Sequence, residues 1–194
     1  LNDAEFVPLD GMTEKLRQVK EPSELENIGK AAGIADKAFL HMLEYIKPGM
    51  TENEVGLELE FFMRRLGASG LSFPSIVASG KRSSLPHGAP SDKVIERGDF
   101  LTLDFGCVYN GYCSDMTRTV VVGSASERQK EIYDIVLNAN LKVLEKVKPG
   151  MSGREIDSIA RDFIGAKGYG ANFGHGLGHG VGVEIHELPM VSKR

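Results

Sequence analysis

Residues 101–122, LTLDFGCVYNGYCSDMTRTVVV, decide the fold. Strand-forming residues flank the Asn-Gly pair at 110–111, a pair that favours a two-residue type I′ turn between antiparallel strands. In a hairpin with this turn Asp104 lies opposite Thr117, and it shares a face with Asp115 because side chains alternate along a strand. Their β-carbons are then roughly 7 Å apart, so the two carboxylates can share one cation or a pair of cations. Without a cation they would repel each other, so the hairpin predicts a positive group between them.

The composition is that of an ordinary globular protein. The chain has 194 residues, 41% of them hydrophobic and 26% charged, which suffices for one substantial domain. A net charge of -4 and a pI near 5.8 give no basic surface of the kind that attracts nucleic acids or acidic membranes. No apolar run approaches the roughly 18 residues of a membrane span, and no signal peptide is recognisable. We therefore expect a cytoplasmic protein with neither nucleic-acid nor membrane partners.

The two cysteines fit the same compartment. In the predicted hairpin register Cys107 and Cys113 point to opposite faces, so they cannot form a disulfide with each other. Free cysteines on strands usually serve as small packing residues in a reducing cytosol, and we expect that role for both.

Four helices are predicted from capping boxes, in which Ser or Thr is followed three residues later by Glu or Gln. The boxes begin at Ser23, Thr51, Ser126 and Ser152. Each box precedes apolar residues spaced three and four apart, the pattern of a helix with one buried stripe. Between the second helix and the hairpin, a strand at 75–79 leads into a loop at 80–88 that carries His87.

An internal repeat joins two parts of the chain. Residues 47–55, KPGMTENEV, recur as KPGMSGREI at 148–156, and the matching register continues into the helices on both sides. This extent favours a duplication over a chance recurrence of helix-ending signals. Two similar halves that face each other would leave a cleft between them, which is a natural place for a site.

The two ends of the chain suggest a segment of a longer protein. Residues 1–22 contain Pro8, Gly11 and Pro22 with little periodicity, so we expect a linker. Residues 23–194 would then form the main domain. The chain begins without methionine and ends shortly after a strand-like stretch, so we expect a fragment of a longer protein.

Residues 174–187, GHGLGHGVGVEIHE, hold three of the five histidines. Their glycine content disfavours a helix, which excludes the helical zinc motif with two histidines one turn apart. A strand or a close-packed loop fits better. The apolar residues at 181, 183 and 185 alternate as in a strand, which would place Gly182, Glu184 and His186 on the opposite face.

Together, the aspartates and these histidines form a mixed carboxylate and imidazole set. Such a set suits Mn, Co, Fe or Zn better than Ca or Mg. The alternative is that the aspartates cap loops while the histidines pack in the interior. We expect that packing role for His41, which lies on a predicted helix face.

Three motifs carry a family resemblance. They are Asp-Phe-Gly at 104–106, Ser-Asp-Met-Thr-Arg-Thr at 114–119, and His-Gly-Leu-Gly-His at 175–179 followed by Ile-His-Glu-Leu-Pro. From about Leu16 onward the chain resembles the pita-bread metallopeptidases, within them the bacterial Xaa-Pro dipeptidase and Xaa-Pro aminopeptidase branch. The resemblance implies an α+β pita-bread (creatinase/aminopeptidase) fold with two similar αβ halves. It also implies hydrolysis of the bond between an N-terminal residue and proline in short peptides. It further implies that the linker at residues 1–22 follows a separate N-terminal domain.

The resemblance further implies a metal centre. Asp104, Asp115 and His179 would be ligands of two divalent ions, with Asp115 bridging them and manganese the expected metal, although cobalt, zinc or iron would also fit. The family completes this centre with two glutamates from later strands, which the chain does not reach. Glu184 and Glu187 do not match those positions, and we expect local roles for them. The chain alone would therefore bind metal weakly and be nearly inactive.

The remaining histidines match residues that contact the substrate. By resemblance, His186 contacts the scissile carbonyl, His87 lies beside the scissile amide, and His175 lines the substrate pocket. A homodimer is also implied as possible.

Three alternatives stay open. Methionine aminopeptidase shares the hairpin aspartates but normally lacks a counterpart of His175. A non-catalytic binding module with the same fold, or a metal-free creatinase-like hydrolase, is disfavoured because Asp104, Asp115 and His179 are all present.

Overall fold

The computed structural model describes residues 7–193, which form five α-helices and eight short strands. The helices are α1 (Met12–Leu16), α2 (Pro22–Tyr45), α3 (Glu52–Arg65), α4 (Glu127–Lys146) and α5 (Gly153–Ala166). The strands are β1 (Gly70–Leu71), β2 (Ile76–Ser79), β3 (Phe100–Phe105), β4 (Cys107–Tyr109), β5 (Tyr112–Cys113), β6 (Met116–Val121), β7 (Gly178–Gly180) and β8 (Glu187–Val191). Two 3-10 helices, Gly80–Ser84 and Gly170–Asn172, precede the loops that carry His87 and His175.

The strands pair into three antiparallel sheets with orders β1-β4-β5, β2-β3-β6 and β7-β8. The main core lies where α2 and α3 pack on the first two sheets. Its largest apolar side chains are Phe105, Met42, Leu59, Met63, Ile95, Leu101 and Leu103. Among the helices of residues 7–193, none is both long enough and apolar enough to cross a membrane.

The hairpin has the predicted register. Tyr109 pairs with Tyr112 and Asp104 with Thr117, and the turn residues Asn110 and Gly111 have φ values of 47° and 83°. Both angles lie in the left-handed region, as a type I′ turn requires.

The hairpin is interrupted halfway, which its sequence pattern did not predict. Gly106 lies so close to the carbonyl of Ser114 that a β-carbon at this position would collide with it. The Ser114 hydroxyl accepts a hydrogen bond from Cys107 N at 3.0 Å, and Ser114 N donates to Cys107 O at 2.9 Å. The tip therefore joins β1 while the base joins β2, and Asp115 lies at the step between them.

The predicted repeat is present in the helices. α3 and α5 are both 14 residues long, and Thr51 and Ser152 cap them with the predicted capping boxes. The Pro-Gly breaks before the caps also match, because Gly49 and Gly150 have φ values of 97° and 90°. The box of Ser126 and Gln129 at the start of α4 is likewise confirmed.

The capping box predicted at Ser23 is wrong. α2 begins two residues earlier than a cap at Ser23 requires, with Glu21 as its N-cap and Pro22 as its first residue, and the carboxylate of Glu24 accepts a hydrogen bond from Glu21 N at 2.8 Å. Proline favours the first helical position because its ring fixes φ and its missing N–H is not needed there. That preference outweighs the cap offered by the serine one residue later.

The expected linker contains structure. Within it, residues 1–6 lie outside the described part of the chain, and α1 forms a short helix. Arg17, directly after α1, and Lys20 form ion pairs with Glu187 at 2.6 and 2.7 Å. The N-terminal segment is therefore attached to the main body, and its division into a linker and a domain stays a prediction.

The alternation predicted across residues 181–186 is wrong, because these residues form bends rather than a strand. Gly182 N donates to Glu184 O at 3.1 Å, which closes a tight turn. Gly182 also lies against the carboxylate of Glu187, where a β-carbon would come within 2.5 Å of Oε2. The turn places His186 directly before β8.

The cysteines are free and buried, as expected. Cys107 Sγ donates to Ala31 O at 3.4 Å, and Cys113 Sγ donates to Val183 O at 3.5 Å. Burial raises the pKa of both thiols. Both side chains therefore act as small packing residues.

Candidate metal centre and active site

Asp104 lies in β3, in the middle of its sheet, as a half-buried residue. The Thr117 hydroxyl, on the neighbouring strand, donates a hydrogen bond to Oδ1 of Asp104 at 2.6 Å. The predicted cross-strand pair is therefore present, and it orients one oxygen of the carboxylate.

Asp115 lies where the hairpin steps from one sheet to the other, with 30% of its side chain exposed. Burial raises the pKa of the Asp115 carboxyl, and the nearby charge of Asp104 raises it further. The imidazoles of His179 and His186 act in the opposite direction. The two carboxylates are thus close enough to repel, as the hairpin register predicted, and a cation there would relieve the repulsion.

His179 comes from β7, in the other half of the chain. Its Nε2 atom lies 3.4 Å from Oδ2 of Asp115, and its Nδ1 atom lies 2.9 Å from the Gly180 carbonyl oxygen. Since a carbonyl oxygen only accepts, Nδ1 carries a proton, and Nε2 is the ring nitrogen that faces Asp115. A histidine that binds a metal commonly has its other ring nitrogen anchored in this way.

His186 joins this group from the turn before β8. Its ring centroid lies 4.3 Å from that of His179, with the two planes tilted by 57°. His186 is exposed, so its side chain can reach a bound molecule. The structure therefore brings Asp104, Asp115, His179 and His186 together at one place.

The other two candidates are not in contact with this group in the described structure. His87 is exposed, and its backbone carbonyl accepts a hydrogen bond from Ala89 N at 2.9 Å. His175 is also exposed; its ring meets the edge of Phe173 at 5.1 Å. Both imidazoles are presented from loops, so their distance from a substrate depends on what holds those loops.

The chemistry of the donors fits a divalent transition metal, because Asp104 and Asp115 offer carboxylates and His179 offers an anchored imidazole. Within residues 7–193, however, no group of three or more His, Cys, Asp or Glu side chains is close enough to hold an ion. These three residues can therefore supply part of a metal centre but do not enclose an ion by themselves.

His41 and the two local glutamates behave as expected. His41 stacks on Phe62 at 3.9 Å and its Nε2 lies 2.7 Å from Oε1 of Glu58, away from the site. Glu187 is buried, and both its carboxylate oxygens accept hydrogen bonds from cationic side chains. Glu184 is exposed and forms an ion pair with Arg17. Both glutamates are therefore engaged by cationic side chains, which is a local role.

Sequence reasoning missed the partners that hold these loops. They are the buried carboxylates and arginines of the pairs Glu52–Arg82, Asp157–Arg161 and Glu187–Arg17. Only Asp157 and Arg161 carry a local signal, the spacing of four residues that places two side chains together on a helix.

Known proteins resemble the chain over almost all of its length. The model of metallopeptidase family M24 matches residues 26–194. The Xaa-Pro dipeptidase of Pyrococcus furiosus is 51% identical over 192 residues, which cover 99% of this chain and 55% of that protein. The chain thus spans about half the length of this relative.

Solved structures agree with this match. The Xaa-Pro dipeptidase from Bacillus anthracis superposes with a TM-score of 0.97 at 57% identity, over 99% of this chain and 54% of that one. The X-Pro aminopeptidase from Thermotoga maritima superposes with a TM-score of 0.97 at 48% identity, over 100% of this chain and 55% of that one. The chain therefore belongs to metallopeptidase family M24 and has the α+β pita-bread fold of the Xaa-Pro peptidases that it resembles.

Proposed function

We propose that the protein containing this chain is a metal-dependent Xaa-Pro peptidase that cleaves the bond between an N-terminal residue and proline. The observation that carries the proposal is the convergence of Asp104, Asp115, His179 and His186 from two halves of the chain. Relatives named Xaa-Pro dipeptidase and X-Pro aminopeptidase, at 48 to 57% identity, support the choice of substrate.

Asp104, Asp115 and His179 would hold the metal, as a centre of two divalent ions with manganese the expected metal. When bound, such ions polarise a carbonyl oxygen and lower the pKa of water to near neutrality. The protein orients the donors in advance: Thr117 holds one oxygen of Asp104, and the Gly180 carbonyl fixes the tautomer of His179. Cobalt, zinc or iron would suit the same donors.

The exposed histidines would act on the substrate. His186 can donate a hydrogen bond to the oxygen of the scissile carbonyl, where negative charge develops in the transition state. His87 can hold a proton beside the leaving nitrogen. The bond before proline is a tertiary amide with no N–H, so a pocket that includes His175 must select the ring by its shape.

The experiment is a substrate panel on a protein that spans the full length of the relatives, supplied with Mn²⁺, Co²⁺ or Zn²⁺ and compared with a chelated sample. The proposal predicts metal-dependent cleavage of Xaa-Pro dipeptides, Xaa-Pro-Xaa tripeptides or both, which also decides between a dipeptidase and an aminopeptidase. Cleavage of methionyl peptides alone would replace the proposal with methionine aminopeptidase. Peptide binding without cleavage would indicate a non-catalytic module.

The 194-residue chain alone should bind metal weakly and turn over slowly, because its described donors do not enclose an ion. Calorimetric titration with Mn²⁺ measures this directly. Tight binding of two ions, together with normal turnover, would contradict it. A homodimer and a cytoplasmic location remain proposals that rest on the resemblance and on the free cysteines.

A further inference from the structure

The buried acidic side chains of residues 7–193 form a set of three, and each one is paired with an arginine. The pairs are Glu52 with Arg82, Asp157 with Arg161, and Glu187 with Arg17. We propose that all three carboxylates are positioning residues, each of which fixes one loop that carries an active-site histidine. The catalytic consequence rests on the proposed function, whereas the order of the loops does not.

Glu187 holds the turn of His186. Its Oε1 atom accepts hydrogen bonds from Arg17 Nη2 at 2.6 Å and from the backbone N–H of Glu184 at 3.1 Å. Its Oε2 atom accepts from Lys20 Nζ at 2.7 Å. The N-terminal segment thereby clamps the turn from outside, and His186 is the residue next to the clamped carboxylate.

The same turn is docked on the hairpin. Gly182, which lies against the Glu187 carboxylate, accepts a hydrogen bond from Cys113 N at 2.7 Å through its carbonyl oxygen. Cys113 precedes Asp115 by two residues. The Glu187 carboxylate therefore positions both His186 and the hairpin segment that carries Asp115, and these lie on the two sides of the site.

Glu52 holds the loop of His87. Its Oε1 atom accepts from the backbone N–H of Ser79 at 2.8 Å, and Oε2 accepts from Arg82 Nη1 at 3.0 Å and from Ser91 Oγ at 2.6 Å. Arg82 Nη2 also donates to the carbonyl of Ala89 at 2.8 Å, beyond His87. One ion pair thus joins the two ends of the loop.

Asp157 holds the loop of His175. Its Oδ1 atom accepts from the backbone N–H of Leu177 at 3.0 Å, and Arg161 Nε donates to Oδ2 at 2.6 Å. Nη1 of Arg161 donates to the carbonyl of Phe173 and Nη2 to the carbonyl of His175, each at 2.8 Å, and Nη2 also donates to Oδ1 of Asp157 at 2.9 Å. The guanidinium also lies over the Phe173 ring, 4.2 Å from its centroid.

The three pairs share a geometry that stability alone does not require. Well-packed apolar residues often stabilise a fold as much as a buried ion pair does. The side chains of an apolar pair, however, cannot accept a hydrogen bond from a backbone N–H. Here each carboxylate does so, at Ser79, Leu177 and Glu184. Arg82 and Arg161 also donate to loop carbonyls, and the planar guanidinium fork holds the donors for both tasks in a fixed geometry that a lysine ammonium does not provide.

The test measures amide hydrogen exchange in the full-length protein carrying Glu52→Gln, Asp157→Asn or Glu187→Gln. We expect exchange at least about tenfold faster at the amide each carboxylate holds, namely Ser79, Leu177 or Glu184, and at neighbouring loop amides. The Cys113 amide should respond to Glu187→Gln only. Glu127→Gln, which removes an exposed ion pair with Lys130, is the control and should change none of these rates.

A merely structural role would give a different result. If each variant accelerates exchange evenly over the whole chain, or leaves its own loop unchanged, the proposal is overturned. Arg82→Lys and Arg161→Lys retain the charge but lose the fork, so they keep the test valid if a carboxylate variant does not fold. They should speed amide exchange in the loops of His87 and His175, respectively. Unchanged exchange in these two lysine variants would count against the proposal.

Kinetics supply a separate readout. On an Xaa-Pro substrate, Glu187→Gln should lower kcat by about tenfold or more with little change in KM, because His186 acts on the transition state rather than on binding. Asp157→Asn should mainly raise KM, because His175 lines the pocket. If no Xaa-Pro peptide is cleaved but exchange changes loop by loop, the proposed function fails and the positioning role stands.

Discussion

The Nε2 atom of His179 lies 3.4 Å from Oδ2 of Asp115, and this contact joins the hairpin of the first half to β7 in the second. The hydrogen bond from Cys113 to the carbonyl of Gly182 docks the two segments beside it. The candidate centre thus depends on how two distant segments meet, and neither segment contains it alone.

Removal of either member of this contact should weaken metal binding. Asp115→Asn removes a carboxylate and His179→Gln removes an imidazole, so the affinity for Mn²⁺ should fall by at least about 100-fold, the upper end of the 10-fold to 100-fold loss typical of residues behind the ligands. Calorimetric titration of the full-length protein measures the effect. His41→Gln is the matched control, because His41 packs on Phe62 away from the site. Unchanged affinity in both site variants would remove these residues from the metal centre.

Gly106→Ala should destabilise the protein. A β-carbon there collides with the backbone carbonyl of Ser114, and backbone cannot move aside as a flexible side chain can. The free energy of unfolding should fall by roughly 1–3 kcal/mol or more. Urea denaturation of the variant tests this against Gly29→Ala, an exposed helical glycine with open space around its α-carbon, which should be neutral or stabilising by up to about 1 kcal/mol. Equal effects of the two substitutions would contradict the close approach.

The ion pairs of Glu187 should contribute stability that depends on pH. Burial alone would raise the pKa of this carboxyl, but hydrogen bonds from Lys20 and Arg17 lower it to about 2. A carboxyl whose pKa is lower in the folded state stabilises the fold above its unfolded pKa, about 4.3, and loses that contribution as the pH falls towards the folded value. The difference in unfolding free energy between the natural protein and Glu187→Gln should therefore be constant above about pH 5 and shrink below it. A difference that stays the same from pH 6 to pH 2.5 would show that the lowered pKa is absent.

Both cysteines should react slowly with thiol reagents. Burial raises the pKa of Cys107 and Cys113, which lowers the fraction of reactive thiolate, and burial also blocks access. Iodoacetamide at pH 8 should modify the folded protein at least about tenfold more slowly than the urea-unfolded protein. Fast labelling of either residue in the folded protein would mean that the hairpin opens or that its thiol is exposed.

Local rules explain which parts could be predicted from the sequence. Asn110 and Gly111 both tolerate positive φ, so they favour a type I′ turn, and that turn fixes the pairing of Asp104 with Thr117. The caps of α3 and α5 follow from a hydroxyl and a carboxylate three residues apart. The repeat was visible because its helix-ending signals are local too.

The remaining features depend on distant partners. The ion pair of Arg17 with Glu187 joins residues 170 positions apart, and no local pattern marks either one. The alternation of apolar residues at 181, 183 and 185 resembled a strand, but the glycine at 182 instead folds the turn onto the Glu187 carboxylate. The ion pair and the turn were both unpredicted for one reason: each depends on the buried Glu187 carboxylate, whose partners are distant in sequence.

The most direct test of the metal centre is anomalous diffraction from crystals of the full-length protein grown with Zn²⁺, whose ligand distances fall in a narrow range. The account predicts an anomalous peak about 2.0–2.2 Å from both Nε2 of His179 and a carboxylate oxygen of Asp115. An active, zinc-loaded protein whose anomalous peaks all lie away from these two side chains would contradict it.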